Sequence, residues 1–323
     1  MYLAMYLGWN RKNPITKEME YKKVSFKDTL KSADTEEFID IWFYRPIGYC
    51  WALLFRRMGV TPNAITIAGI FIGIAGGVLF YYDDLVINIF GILLLMWANS
   101  YDSADGQLAR MTGKKSHVGR ILDGLCGDLW FFAIYVSLCL RLLYEGGDWY
   151  IIWPLVLVAG YFHLKQASMA DYYRNIHLLF LNGKSGSEVD NSEKLTEQYN
   201  SYTWKKDFWN KAVAFFYRGY TSGQEQTTPG LQEMLQTLQR KYGDNVPAQF
   251  RAAFREKSKP LMKYTNILSF NTRAIALFVS LFLDQVWIYF VFELTILNVI
   301  LIYMVSVHEK FCKYFTQKIN EEN

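Results

Sequence analysis

The stretch TPNAITIAGIFIGIAGGVLFYY, residues 61–82, contains no charged side chain. As a helix it would be about 33 Å long, enough to cross the ~30 Å hydrocarbon layer of a bilayer. We therefore expect it to span a membrane. Five further apolar segments follow along the chain, at residues 85–101, 119–144, 150–169, 267–283 and 286–307. The sequence predicts an all-α integral membrane protein with six transmembrane helices.

The composition supports this class and argues against two others. The 323 residues are 52% hydrophobic and 20% charged, so the apolar residues must be concentrated in blocks. A net charge of +4 is small for a nucleic-acid-binding protein, and no nucleic-acid partner is expected. The four cysteines lack a CxxC pair, so neither a zinc site nor a disulfide framework is predicted.

The distribution of basic residues predicts the orientation in the membrane. The links at 83–84, 145–148 and 284–285 contain no lysine or arginine, whereas the opposite links and the segment after the last span do. Because short cytoplasmic loops retain basic residues, both termini should be cytoplasmic. Arg141 is the exception, and we expect its side chain to reach the outer membrane surface by snorkelling. No signal peptide is predicted, since residues 1–32 lack a continuous apolar core.

The remaining segments complete the predicted domain organisation. It comprises an N-terminal cytosolic tail (1–35), an interfacial amphipathic helix (36–60), spans 1–4 (61–170), a cytosolic helical insert (171–262), spans 5–6 (263–311) and a C-terminal tail (312–323). The interfacial helix should be kinked or interrupted at Pro46. In the insert, two helical stripes should pack on each other or on the membrane surface: Trp204, Phe208, Ala212, Phe216 and Leu231, Met234, Leu235, Leu238.

Carboxylates are concentrated in DSADGQLARMTGKKSHVGRILDGLCGD, residues 102–128, between two apolar segments. A carboxylate in the bilayer centre costs about 2.5–3.5 kcal/mol, so acids close to it need water, a cation or a function. Asp102 and Asp105 are three residues apart and would share one helix face. Asp123, on the next helix, can complete an oxygen-rich site suited to Mg²⁺ or Mn²⁺.

Small residues and one arginine accompany these acids. Gly106, Ala109 and Gly119 leave room for a bulky group to approach the backbone, and Arg110 can donate two hydrogen bonds to a phosphate. The alternative is that the glycines only allow helices to pack closely. Together with a metal, the pattern indicates a pyrophosphate ester held at the membrane surface.

The spacing resembles that of the CDP-alcohol phosphotransferase family, whose pattern is D-x2-D-G-x2-A-R-x8-G-x3-D-x3-D. The first seven defined positions are matched by Asp102, Asp105, Gly106, Ala109, Arg110, Gly119 and Asp123. The TPN at residues 61–63 is similar to the way the family's first span begins. The resemblance covers the six predicted spans and the preceding helix, but neither the insert nor the first 35 or so residues.

The resemblance implies an enzyme that transfers a phosphate-linked group from a CDP-linked donor to an alcohol and releases CMP. It implies two divalent cations, Mg²⁺ or Mn²⁺, bound by the three aspartates, and a homodimer. By the same resemblance, the nucleotide pocket is lined by Gly106, Ala109, Arg110 and Gly119, and Asn63 touches it from the first span. The active site would then face the cytoplasm.

Three basic residues suggest the acceptor. Lys165, Arg174 and Arg273 lie near the expected cytoplasmic mouth and suit a phosphorylated alcohol such as inositol phosphate, although the positive-inside rule explains them almost as well. We therefore favour CDP-diacylglycerol as donor. The alternatives are a CDP-alcohol acting on diacylglycerol, a membrane anchor for the insert, and an ion-coupled transporter. The transporter is disfavoured because the acids cluster at one face and no charge marks the centre of the other spans.

The end of the acidic stretch departs from the family pattern. The pattern requires an aspartate four residues after Asp123, but that position is Gly127, and Asp128 follows. Five residues of regular α-helix would direct Asp128 about 140° away from Asp123. A widened π-type turn would restore the face, so we predict such a turn and Asp128 as the general base. Alternatively, Asp128 faces another helix and the base is elsewhere or is not needed.

Overall fold

The computed structural model describes residues 25–29, 32–113, 117–183 and 189–321. Within these ranges the regular elements are helices, without a strand, which confirms the predicted all-α class. Most of the predicted N-terminal tail, residues 1–24, lies outside the described residues.

The α-helices follow one another through short connections. In chain order they are α1 Arg45–Arg57, α2 Pro62–Leu79, α3 Leu85–Thr112, α4 His117–Tyr144, α5 Trp149–Asn182, α6 Ser192–Ser201, α7 Phe208–Thr227, α8 Pro229–Tyr242, α9 Ala248–Ser258, α10 Met262–Ile267, α11 Phe270–Phe282, α12 Trp287–Phe292 and α13 Asn298–Glu321. Single 3₁₀ or π-helical turns occupy Phe26–Thr29, Asp40–Tyr44, Lys259–Leu261 and Glu293–Leu297.

Five stretches of helix are long and apolar enough to cross a membrane among the residues that the structure describes. They are Pro62–Leu79, Leu85–Thr112, Leu122–Tyr144, Ala248–Phe282 and Trp287–Glu321. These stretches indicate a multi-pass membrane protein, but the predicted count of six is not confirmed. The expected fourth span, residues 150–169, lies in α5, where His163, Lys165 and Gln166 reduce the hydropathy of its second half.

The chain divides into two compact units. The first contains Met1–Gly160 and Ala274–Val291, and the second contains Tyr161–Arg273 and Phe292–Asn323. In the first unit α2 packs against α3 and α4, and α1 packs against α3. In the second unit α5, α8, α9 and α13 contribute to a buried apolar core.

Capping residues and a glycine explain how α2 and its neighbours pack. The Thr61 side chain accepts a hydrogen bond from the Ala64 amide at 3.4 Å, and Pro62 occupies the first turn, where no amide donor is needed. At Gly73 an added Cβ would lie 2.2 Å from the Trp130 ring. Only glycine therefore allows α4 to approach α2 this closely.

The length of α3 places its acidic end near a membrane face. α3 starts with the Asp84 side chain accepting from the Ile87 amide at 2.9 Å, and it ends at Gly113, which has a φ of 68°. Asp102 lies 17 residues after Leu85, which corresponds to about 26 Å of helix. Since the hydrocarbon layer is ~30 Å thick, a span that begins at Leu85 brings Asp102 close to the opposite surface.

The segment before α1 is irregular next to Pro46. A π-helical turn, Asp40–Tyr44, leads into α1, and Pro46 lies in the first turn of that helix. The widened turn accommodates the proline ring, which would clash with the carbonyl four residues earlier in a regular helix. Gly48 faces α3, where an added Cβ would lie 2.8 Å from Ser103. An interfacial position of this helix stays a prediction.

The two stripes predicted in the insert have different environments. Leu231, Met234 and Leu238 of α8 are buried in the core of the second unit, as expected for packed helices. Phe208 and Phe216 of α7 are exposed. Packing of the stripe that contains Phe208 and Phe216 on the α8 stripe was therefore the wrong alternative. Contact of this α7 stripe with the membrane surface stays a prediction.

Arg141 joins three loops of the first unit. Its guanidinium donates to Asp83 and Asp284, both at 2.6 Å, and to Glu145 at 2.7 Å. These acids belong to the loops that follow α2, α11 and α4. The arginine is only 1% exposed, so loop carboxylates rather than water surround its charge. Snorkelling of this side chain to the outer membrane surface stays a prediction.

Replacing Arg141 with methionine is expected to lower the stability of the protein by about 2 kcal/mol, because charge-assisted bonds are lost while the released, partly exposed carboxylates regain water. Lysine should restore little, since one ammonium group cannot reproduce the fork of guanidinium donors. Thermal unfolding in detergent measures the change, with the exposed Arg240→Gln as the matched control. An Arg141→Met variant as stable as that control would contradict a bracing role.

Candidate functional site

Three carboxylates of the first unit converge at one end of α3. One oxygen from each of Asp102, Asp105 and Asp123 lies within 4.8 Å of the other two. α3 supplies the first two side chains from adjacent turns, and α4 supplies the third. Asp105 is buried, Asp102 is half-buried and Asp123 is exposed. The structure thus brings together the three residues that the sequence singled out as metal ligands.

The buried member of this cluster is fixed from α2. The Thr66 hydroxyl donates a short hydrogen bond to Oδ2 of Asp105. Thr66 was not predicted from the sequence, although a signal was present: it is a hydroxyl residue within an apolar run, one turn after Asn63. The bond holds one carboxylate oxygen and leaves the other able to face Asp102 and Asp123.

The donor set fits a hard divalent cation. Three carboxylates this close repel one another, and a cation between them would offset the repulsion. Carboxylate oxygens are the ligands preferred by Mg²⁺ and Mn²⁺. The exposed position of Asp123 leaves one side of the cluster open to a further ligand.

Arg110 adds a positive charge in the last turn of α3. Its Nε donates to the Thr29 carbonyl at 2.5 Å, and the group interacts electrostatically with Asp105 and Asp123. Its Nη2 is buried without a hydrogen-bond partner among the described residues. At Gly106 an added Cβ would lie 3.4 Å from the guanidinium. A donor directed into a polar site and lacking a partner is suited to a phosphate oxygen.

The other predicted nucleotide-binding positions lie on the same three helices. Ala109 is half-buried one residue before Arg110. Asn63 and Gly119 are half-buried in the first turns of α2 and α4, one turn before Thr66 and Asp123 respectively. The described contacts do not assign these three positions a ligand-binding role.

A hydrogen-bond network that was not predicted from the sequence attaches the start of α1 to α3, next to the two aspartates. Arg45 donates to Glu36 at 2.9 Å and to the Ser103 hydroxyl at 3.4 Å, and its carbonyl accepts from Gln107 Nε2 at 3.0 Å. On α3, Ser103 lies between the two aspartates and Gln107 lies two residues after Asp105. The network holds the helix before the first span against the acidic turn of α3.

Residues 59–170 match the CDP-alcohol phosphatidyltransferase family model. This segment contains the three carboxylates, Thr66 and Arg110, and the match confirms the resemblance found in the sequence. We refer to it below as the CDP-alcohol phosphatidyltransferase domain. Arg45 and Glu36 precede it, and the helical insert follows it.

Two curated relatives match short segments of the chain. An archaetidylinositol phosphate synthase of Pyrococcus horikoshii is 41% identical over 66 residues, which are 20% of this chain and 34% of the relative. A protein of Aquifex aeolicus described as uncharacterized is 36% identical over 69 residues, 21% of this chain and 34% of its own length. The chain thus spans about a third of the length of these relatives. No solved structure matches it.

Asp128 lies on a regular helix in the CDP-alcohol phosphatidyltransferase domain. α4 is α-helical throughout His117–Tyr144, so the widened turn predicted between residues 123 and 128 is wrong. The glycines at 124 and 127 do not interrupt the helix, because tertiary packing outweighs their low helix propensity. In this register Asp128 points about 140° away from Asp123. Its assignment as the general base loses that geometric support, and the structure does not test it further.

The three predicted acceptor-binding residues lie on the second unit and are engaged by protein groups. Lys165 donates to the Gly223 carbonyl at 3.0 Å, and Arg174 donates to the Ser269 hydroxyl at 2.7 Å. Arg273 is 1% exposed. Of these three, Arg174 retains a buried Nε without a hydrogen-bond partner in the described part of the chain.

Arg273 belongs to a buried polar network. It donates from Nη1 to Glu293, from Nη2 to the Gln166 side chain at 2.8 Å and from Nε to the Leu268 carbonyl at 3.2 Å. Glu293 is fully buried and lies in the π-helical turn before α13. Glu293 is thus a buried acidic residue inside the predicted span 286–307, about four residues from the span's centre, where we expected no charge. The charge at Glu293 is paired within the second unit, which favours a bracing role for Arg273 over acceptor binding.

Replacing Thr66 with valine is expected to lower turnover about 10–100-fold, because outer partners that orient a metal ligand have effects of this size. Serine at the same position should restore most of the rate, since it keeps the hydroxyl. The measurement is CMP release as a function of Mg²⁺ concentration, where the valine variant should need more metal for half-maximal rate. An unchanged metal requirement would show that the bond to Asp105 has no positioning role.

The Asp128→Asn variant distinguishes the two interpretations of this residue. With regular α4 geometry we expect it to keep at least about a third of the wild-type rate, whereas loss of a general base typically costs 10²–10⁴-fold. Turnover at saturating donor and acceptor is the measurement. A loss beyond about 100-fold with donor affinity retained would return Asp128 to the chemistry.

Proposed function

We propose that this chain transfers a phosphatidyl group from CDP-diacylglycerol to a polar, phosphorylated alcohol such as inositol phosphate, with release of CMP. The observation that carries the proposal is the convergence of the three carboxylates within a segment that matches the CDP-alcohol phosphatidyltransferase family. Asp102, Asp105 and Asp123 would bind two divalent cations, Mg²⁺ or Mn²⁺. When bound, such cations neutralise charge on a pyrophosphate and on the departing CMP.

The surrounding residues have separate roles in this proposal. Thr66 holds Asp105 in place, and the unpartnered Arg110 nitrogen donates to a phosphate oxygen of the donor. Gly106 leaves the space in which that guanidinium and the nucleotide meet, and Asn63, Ala109 and Gly119 complete the nucleotide pocket.

The proposed reaction is a substitution at phosphorus. The acceptor hydroxyl oxygen bonds to the lipid-linked phosphorus of the donor, and the bond from that phosphorus to the bridging oxygen of CMP breaks. The hydroxyl proton passes to a base, and CMP leaves with the electron pair of the broken bond.

A phosphorylated acceptor has support from outside the cluster. The Pyrococcus horikoshii relative is named an archaetidylinositol phosphate synthase. On this chain, Arg174 is half-buried and has an unpartnered Nε, so among the three predicted acceptor residues it is the one that retains a hydrogen-bond donor for a second phosphate. The runner-up is transfer from a CDP-alcohol to diacylglycerol, which the same carboxylates would serve.

A panel of substrates tests the proposal. Purified protein with Mg²⁺ should release CMP from CDP-diacylglycerol faster with inositol phosphate than with inositol, serine, glycerol phosphate or no acceptor. Release that requires diacylglycerol and a CDP-alcohol would support the runner-up. If no CDP-linked donor yields CMP, the enzyme proposal fails, and an ion-coupled transporter or an anchor for the insert becomes the better account.

Membrane orientation and assembly belong to the same proposal. The excess of lysine and arginine in alternate links supports a site and termini on the cytoplasmic side, and the family resemblance supports a homodimer. Reaction of a membrane-impermeant thiol reagent with a cysteine introduced at Lys318, in α13, tests the orientation in sealed vesicles when the exposed Cys50 has been replaced by serine. Labelling from the outer side of intact cells would exclude it.

A further inference from the structure

Helix α7 carries an exposed aromatic face. Trp209, Phe216 and Tyr220 are seven and four residues apart, so they lie within about 20° of one helix line. Trp209 is 72% exposed and Phe216 is 71% exposed. By contrast, the apolar stripe of α8 and Phe254 of α9 are buried in the core of the second unit. An exposed aromatic stripe of this size marks an interaction surface.

Two lysines precede this face. Lys205 and Lys206 are exposed in the turn before α7. Lys211 and Arg218 lie on the opposite side of α7, over the Tyr199 ring of α6, at 4.4 Å and 4.7 Å from its centroid. Large aromatic rings beside lysine and arginine are typical of helices that lie in the interface of an anionic membrane.

Contacts within the second unit set the depth of α7 relative to α5. Lys165 donates to the carbonyl of Gly223 at 3.0 Å, and Gln224 donates to the carbonyl of Ser168 at 3.0 Å. The apolar run of α5 ends at Phe162, less than one turn before the first of these contacts. The last turns of α7 are therefore attached at the level where a membrane helix would leave the hydrocarbon.

We propose that α7 lies on the membrane surface, with Trp209, Phe216 and Tyr220 inserted between the headgroups and acyl chains of an anionic leaflet. Lys205 and Lys206 contact lipid phosphates, and the aromatic rings occupy the depth at which such rings concentrate. A second copy of the chain is the competing occupant. It is disfavoured because pairing two copies of this face would bring the exposed Lys205 and Lys206 of both copies close together.

Site-specific labelling tests this proposal and does not depend on enzymatic activity. In a Cys50→Ser background, which keeps the three buried cysteines, an environment-sensitive fluorophore is attached at Phe216→Cys or Trp209→Cys. Gln236→Cys, exposed on α8, is the matched control. In nanodiscs whose lipids carry a nitroxide near the top of the acyl chain, both α7 labels should be quenched at least about threefold more than the control.

Lipid charge provides the second arm of the experiment. Quenching at Phe216→Cys should increase when phosphatidylglycerol replaces part of the phosphatidylcholine, and Lys205→Gln with Lys206→Gln should weaken that increase. Quenching of the α7 labels no stronger than that of the control would overturn the proposal. Energy transfer between labels on two copies without lipid quenching would also overturn it, in favour of a face that binds a second chain.

Discussion

Replacing any one of Asp102, Asp105 or Asp123 with asparagine is expected to reduce CMP release at least about 100-fold. An amide keeps the size of the side chain but removes one negative charge from a cluster whose proposed role is to hold divalent cations. Stabilisation of transition-state charge by a cation contributes several kcal/mol, and each 1.4 kcal/mol corresponds to about tenfold in rate. The measurement is CMP release at saturating Mg²⁺ and saturating donor.

The matched control is Asp148→Asn, an exposed aspartate in the loop after α4 that is bonded to the Tyr150 hydroxyl at 3.0 Å. It should retain the wild-type rate. The three cluster variants should unfold at or above the wild-type temperature, because each relieves repulsion among the acids when no cation is bound. More than a tenth of the wild-type rate in any of them would count against the proposed ligand set. Partial rescue by Mn²⁺ would agree with it.

Arg273→Met is expected to lower the stability of the second unit by about 3–5 kcal/mol, because it removes the guanidinium and leaves the buried Glu293 carboxylate only the His163 ring, at 3.3 Å. The double variant Arg273→Met with Glu293→Leu should recover most of that loss, since two apolar groups of similar volume need no compensating charge. Thermal unfolding in detergent should show a fall of roughly 10 °C for the single variant and a much smaller fall for the double variant.

The same variants separate bracing from acceptor binding. If Arg273 only braces the helices, the double variant should keep the wild-type KM for the acceptor. Arg174→Gln, which removes a half-buried guanidinium with an unpartnered nitrogen, should instead raise that KM. A double variant that folds normally but has a raised acceptor KM would restore Arg273 to substrate binding.

Local spacing was enough to predict the carboxylate cluster. Asp102 and Asp105 are three residues apart and therefore share a helix face. Asp123 lies on the next helix, which a short connection keeps beside the first. The all-helical class was equally accessible, because membrane helices need long uncharged runs. Both inferences depend on residues that are close in the chain or on a single element.

Contacts between distant residues could not be predicted in this way. Thr66 is 39 residues from Asp105, Arg141 is 143 residues from Asp284, and Glu293 is 20 residues from Arg273 across two helices. No periodicity connects such pairs, so the sequence showed Arg141 as an isolated charge and Glu293 did not stand out. At Asp128 the error was different, since two glycines indicated a loosened turn in a helix that packing keeps regular.

The attachment of Arg141 to three loops has a mechanical consequence for α4. This end of the helix is held by acids from three connections, while Asp123 lies 18 residues away, about 27 Å along the axis. Arg141 therefore fixes one end of α4, and the helix can pivot there. A tilt of about 5° around this pivot would move the Asp123 backbone by about 2 Å, a full metal–oxygen bond length, while the end at Arg141 would move little.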